Sequence, residues 1–130
     1  MQRIKTRAQF QAVLAGDTVS RVPHFALHRL ATPVDEALFV SASLYLGALL
    51  PKRWAKRAVT RNLLRRQIYS VASLHARALA RVPYVVRLRR GFDAAAFVSA
   101  SSAPLRQAVR AELVQLFGHV QPMKALPREA

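Results

Sequence analysis

Apolar positions along this chain recur at helical spacing in three places and at strand spacing in three others. In residues 6–15, TRAQFQAVLA, a helix would put Phe10, Val13 and Leu14 on one face, and Gly16 and Asp17 supply a stop and a turn. Residues 24–31, HFALHRLA, read as a strand, and residues 32–35 as the turn after it. Residues 37–50, ALFVSASLYLGALL, read as one long strand or two joined at Gly47. Their alternation puts Leu38, Val40, Ala42, Leu44 and Leu46 on a core face, and Phe39, Ser41, Ser43 and Tyr45 on an open one. Residues 57–80 follow a helical pattern carried by Val59, Leu63, Leu64, Ile68, Val71 and Leu74, closed by Pro83. Residues 84–90, YVVRLRR, make a further strand, and Gly91, Phe92 and Asp93 a turn. Residues 102–117 form a last amphipathic helix that buries Leu105, Val109, Leu113, Leu116 and Phe117 and ends at Gly118.

This order predicts an α+β protein, an α/β sandwich with helices packed on one sheet. One domain is expected over residues 1–120, followed by a loose tail over 121–130. The chain has 130 residues and no cysteine, which excludes disulfides and thiolate metal sites and fits a cytoplasmic setting. The opening MQRIKTRAQF lacks the apolar run of a secretory signal, and no stretch is long enough to span a bilayer.

Charge changes the picture most. Twenty-one Lys and Arg against six Asp and Glu give +15. No acid lies between Ala37 and Phe92, where twelve of the basic residues fall. Seven of them occupy fifteen positions: Lys52, Arg53, Lys56, Arg57, Arg61, Arg65 and Arg66. Arg57, Arg61 and Arg65 are four apart and share one side of a helix, where like charges cost roughly 0.2–0.5 kcal/mol per pair. A solvated basic face is the ordinary explanation of a charge run. Without a neighbouring acid, this one points instead to a polyanion, and Asn62 among the arginines could hold a phosphate, a ribose hydroxyl or a base edge. Trp54, inside the basic loop, either stacks on nucleic acid or caps the core.

The segment closely resembles the signature of the bacterial ribonuclease P protein family. That signature has two basic residues after a strand, a short basic loop, Arg-Asn on a helix, and a basic pair two residues later. Here these are Lys52 and Arg53, Lys56 and Arg57 with Ala58, Arg61 and Asn62, and Arg65 and Arg66. Phe10 in AQFQAVLAG resembles the family's N-terminal Phe, and Phe25 an aromatic on its first strand. The chain departs from the pattern at Leu63, where a third basic residue is usual, and at Tyr69 and Ser70, where Arg-Glu is frequent.

The resemblance implies a four-stranded sheet with a left-handed β-α-β crossover, similar to a ribosomal-protein domain. It implies a protein subunit that binds a catalytic RNA, ribonuclease P RNA, which cleaves precursor tRNA with Mg²⁺ of its own. Lys52, Arg53, Lys56, Arg57, Arg61, Asn62, Arg65 and Arg66 would contact that RNA. Phe10, Phe25, Phe39 and Tyr45 would face the single-stranded 5′ leader, each stacked base being worth roughly 1–3 kcal/mol. Ordinary core packing is the competing reading of those aromatics.

No chemical site of the chain's own is expected, and no cofactor or metal. Asp17, Asp35 and Asp93 each sit beside a turn. His24 and His28, in one strand, would share a face about 13 Å apart, too far for joint ligation. Neither a Gly-rich phosphate loop nor a nucleophile elbow is present. No membrane and no stable protein partner is expected. The rivals are a structural RNA-binding protein of ribosomal type, without a part in catalysis, and a cationic membrane-surface protein.

Overall fold

The first helix begins where its sequence can close a capping box. Thr6 Oγ1 accepts a hydrogen bond from the Gln9 backbone N–H at 3.2 Å, and Gln9 Oε1 accepts one from Thr6 N–H at 3.1 Å. From this start helix α1 (Arg7–Leu14) runs to Gly16, where an added Cβ would sit 2.3 Å from the Arg29 carbonyl oxygen. That approach lets the chain turn straight into strand β2 (Asp17–Arg21), which pairs with β3 (Phe25–Arg29).

The computed structural model describes residues 1–31, 33–92 and 103–121. Besides these elements it contains β1 (Gln2–Arg3), β4 (Tyr45–Leu49), α2 (Ala58–His75), β5 (Pro83–Leu88) and α3 (Ala103–Gly118). The strands form one sheet in the order β1-β4-β5-β3-β2. Both pairings of β4 are parallel, and those of β3 are antiparallel. Helix α2 makes the crossover between the parallel neighbours β4 and β5.

Both faces of the sheet are used. Helices α2 and α3 cover one face, burying Phe25, Leu27, Leu46, Tyr84, Val86 and Leu88 against Leu64, Ile68, Val71, Leu113 and Leu116. Each such side chain contributes roughly 1.5–3 kcal/mol by leaving water. Helix α1 covers part of the other face, in a smaller cluster of Ile4, Val13, Leu30, Phe39, Tyr45 and Val85.

Several expectations are corrected. Residues 37–50 are not one extended strand, since only Tyr45–Leu49 pairs. Before it, Asp35 organises a turn: its carboxylate accepts from Ala37 N–H at 2.9 Å, and its carbonyl from Leu38 and Phe39 N–H. Ala42 takes a left-handed φ of 56°, which no strand accommodates. Val40, assigned to the core face, is therefore exposed, and Phe39 and Tyr45, assigned to the open face, are buried. Strands β1 and β2 were not expected; a two-residue strand carries no periodicity, and β2 buries only Val19. Helix α2 ends at His75 rather than residue 80, and Leu74 and Val59, assigned to its apolar side, are exposed. The sheet thus has five strands rather than four. Asp93, and the 121–130 tail beyond Gln121, lie outside the described residues.

Candidate nucleic-acid interface

Loop 51–57 and the first turns of α2 form the basic surface. Trp54 and Ala55 N–H both donate to the Pro51 carbonyl, folding the loop tightly. Lys52, Arg53, Lys56 and Arg57 are exposed on it, as are Asn62, Arg65 and Arg66 on the helix. Arg57 sits at the N-cap without a side-chain cap. The positive end of the helix therefore lies beside four cations without a cap from the Arg57 side chain. Among the described residues no carboxylate pairs with any of these side chains.

Arg61 behaves differently from its neighbours. Its Nη1 donates to the carbonyls of Ala55 (2.9 Å) and Lys56 (2.8 Å), and the residue is only half exposed. It holds the loop against the helix, so the expected row of three free arginines is broken at its centre. Arg65 Nη1 donates to Asn62 Oδ1 at 3.2 Å, so the Asn62 carbonyl oxygen is engaged within the helix. Leu63, where a basic residue is usual, is buried in the larger core cluster. Trp54 belongs to neither core cluster; the Arg53 guanidinium lies 5.3 Å from its ring centre.

Sequence reasoning missed basic residues on both flanks of this surface. On one side Arg3 of β1 lies 4.2 Å from the ring centre of Tyr69. Burial pushes the Tyr69 phenol up, while Arg3 and Arg65 pull it down. On the other side Arg110 of α3 donates to Gln67 Oε1 (3.1 Å) and Ser70 Oγ (3.3 Å), with Arg106 one turn before it.

The aromatic residues expected at a cleft are mostly in the core. Phe25 is fully buried under the helices, and Phe39 and Tyr45 pack edge to face at 5.1 Å, both buried. Tyr45 also fastens the loop, its hydroxyl accepting from Val40 N–H at 3.0 Å. None of the three offers a stacking face. Phe10 does, because it is half exposed. Its ring rests on Gly47, where a Cβ would come within 2.6 Å of it.

Next to Phe10 the register builds a polar floor that the sequence did not announce. Cross-strand rows run Gly47–Val85–His28–Thr18 and Leu49–Arg87–Ala26–Arg21. Arg87 Nε donates to His28 Nε2 at 3.0 Å, so the ring hydrogen is assigned to Nδ1, which bonds Thr18 Oγ1 at 3.2 Å. Burial lowers the His28 pKa, and Arg87 and Arg21 lower it further. His24 does not share this face. It precedes β3, stacks on Phe92 at 3.9 Å, and binds Glu112 of α3 through its backbone N–H (2.8 Å) and Nδ1 (2.5 Å). No three described His, Asp or Glu side chains converge as metal ligands, and no described helix is long and apolar enough to cross a membrane.

A chain with an Arg-Asn helix after a basic loop, on this sheet, matches a known family over residues 1–117: the model described as Ribonuclease P. This chain belongs to the ribonuclease P protein family. It is 34% identical over 111 residues to the ribonuclease P protein component of Bordetella parapertussis, covering 85% of each chain. It is 37% identical over 132 residues to that of Paraburkholderia xenovorans, covering 98% of this chain and 89% of the relative. The ribonuclease P protein structures from Staphylococcus aureus and Thermotoga maritima share the fold. Their TM-scores are 0.65 and 0.64 at 18% and 16% identity. The first match covers 91% of this chain and 94% of the other, the second 94% and 100%. The chain is thus the protein component of an endoribonuclease of tRNA processing, and works with ribonuclease P RNA.

Proposed function

We propose that loop 51–57 and the first two turns of α2 dock this subunit on ribonuclease P RNA. In the same proposal the sheet face beside α1 holds the single-stranded 5′ leader of precursor tRNA. The observation that carries the first part is the row of exposed cations at Lys52, Arg53, Lys56, Arg57, Arg65 and Arg66, none of them met by a described carboxylate. Placed together they repel, and a phosphate backbone relieves that repulsion while releasing its own counterions. Exposed Asn62 adds an amide donor for a phosphate, ribose or base edge. Arg61 serves the same surface indirectly by holding the loop in place.

The leader reading rests on Phe10, Leu49, Arg87 and Arg21, which combine one stacking face, an apolar neighbour and two guanidinium groups beside the first helix. Such a strip suits unpaired bases and their phosphates without base-specific readout. Phe25, Phe39 and Tyr45 take no part. Hydrolysis, and the Mg²⁺ it uses, belong in this proposal to the RNA, and no step is assigned to a side chain of this protein.

Reconstitution tests the whole reading. Precursor tRNA is incubated with ribonuclease P RNA at low Mg²⁺, with and without the protein. Faster cleavage at the mature 5′ end is expected, with a larger gain for substrates with a leader of several nucleotides than for those with a single leader nucleotide. No gain in cleavage would sink it.

A further inference from the structure

We infer that Arg3 of β1, with Asn62, Arg65, Arg66 and Tyr69 of α2, forms a pocket that binds one RNA phosphodiester. This rests on the reading that α2 docks on ribonuclease P RNA, and extends that surface onto a strand outside the basic segment.

The five residues line one open cavity of about 340 Å³. Three carry guanidinium groups, one an amide, and no carboxylate is among them. Arg3 is not there by the accident of a long side chain. Gln2 N–H donates to the Leu44 carbonyl at 2.8 Å and Ile4 N–H to the Leu46 carbonyl at 3.0 Å, which fixes β1 on both sides of Arg3. Ile4 is buried in the smaller core cluster and pins the strand further. The Tyr69 hydroxyl donates to that same Leu46 carbonyl at 3.2 Å. One carbonyl oxygen therefore sets both the strand that carries Arg3 and the ring on which its guanidinium lies. A guanidinium over an aromatic face is held at low entropic cost and keeps its in-plane N–H groups free for a phosphate.

Position 69 also makes sense in these terms. A tyrosine there removes a cation from the helix but offers the platform that brings one from β1. Arg65 is partly oriented by Asn62, and Arg66 closes the other wall. Arg3, Arg65 and Arg66 around one cavity repel one another, and an anion between them reverses the sign of that energy.

The test measures affinity of the full chain for ribonuclease P RNA across a salt series, for Arg3→Gln, Arg3→Lys, Tyr69→Leu and Arg65→Gln. Circular dichroism confirms that each variant is folded. Arg3→Gln should weaken binding by roughly tenfold at low salt and lower the salt slope by about 0.7–0.9, the value of one phosphate contact. Arg3→Lys should keep the slope and lose part of the affinity, because the charge remains but the stack and the fork do not. Tyr69→Leu should reproduce the Arg3→Lys loss. If Arg3→Gln changes neither affinity nor slope while Arg65→Gln lowers both, the pocket is overturned and the docking helix stands. If Arg65→Gln is also silent, the docking reading falls with it.

Discussion

The basic surface at the start of α2 and the polar floor beside α1 are both rich in arginine, yet they are built in opposite ways. On α2 the cations are exposed and lie close together along one stretch of chain. On the sheet face, Arg87, Arg21, His28 and Thr18 come from three strands and meet only through register, with His28 and Arg87 bonded to each other. The first surface is open to its ligand and nearly independent of the fold. The second is part of the fold. Substitutions should separate the two cleanly.

The largest expected effect is on binding alone. Replacing both Arg65 and Arg66 with Gln removes two exposed cations from one side of the helix. RNA affinity at low salt should fall by roughly a hundredfold, and the salt slope by about 1.4–1.8, or 0.7–0.9 per phosphate contact. Thermal unfolding should be unchanged, since neither guanidinium bonds the core. A drop in melting temperature of many degrees would show that the two surfaces are not built differently.

Next in size is a substitution in the seat of Phe10. Gly47→Val forces a side chain into space the Phe10 ring occupies, and overpacking of this kind costs about 1–3 kcal/mol. Binding of a short single-stranded RNA should weaken with it, while affinity for ribonuclease P RNA holds. Chemical denaturation and titration with the two RNAs give the readouts; equal loss for both RNAs would argue against separate surfaces.

Arg61 is the point where the comparison is least sharp. It lies in the basic stretch but is bonded like a fold residue. Arg61→Ala should cost about 1 kcal/mol of stability by releasing the Ala55 and Lys56 carbonyls. Arg57→Ala, one turn earlier and exposed, should cost almost none. Equal melting temperatures for the two variants would return Arg61 to the row of free cations.

What could be read from the sequence follows the same division. The spacing of Asn62, Arg65 and Arg66 survives into the structure because a helix maps sequence interval onto direction, whatever the rest of the chain does. Leu64, Ile68 and Val71 were assigned to the core for the same reason and are there. Residues 37–44 misled because alternation describes a strand only if the segment pairs, and Asp35 and Ala42 commit it to turns instead. The role of Gly47 was invisible, since nothing local says that a ring from residue 10 will need its missing side chain. Arg87 did leave a trace. A charge between Val86 and Leu88 in a strand otherwise fit for burial marks a face that is not fully covered. Its partners, set by register from two other strands, left none.

The smallest effect probes that register through a proton. In the folded chain His28 is buried, accepts from Arg87 and faces Arg21, with Thr18 holding its other nitrogen. Burial first, and then the charges of Arg87 and Arg21, disfavour the imidazolium, so its folded pKa lies below its ordinary value near 6.5. As pH falls through that ordinary value, the unfolded chain takes up a proton that the folded one refuses, and stability declines. The decline ends below the folded pKa, where both states are charged. Above pH 7 both are neutral and the term vanishes. His28→Gln can accept from Arg87 and donate to Thr18 without titrating. Denaturation midpoints of the two proteins should therefore run parallel above pH 7 and diverge below it, with wild type losing more. The other histidines are common to both and cancel in the difference. Parallel curves down to pH 5 would mean that His28 is not held by Arg87 and Thr18. The sheet face would then be as loosely built as the helix surface, and the contrast between the two would be lost.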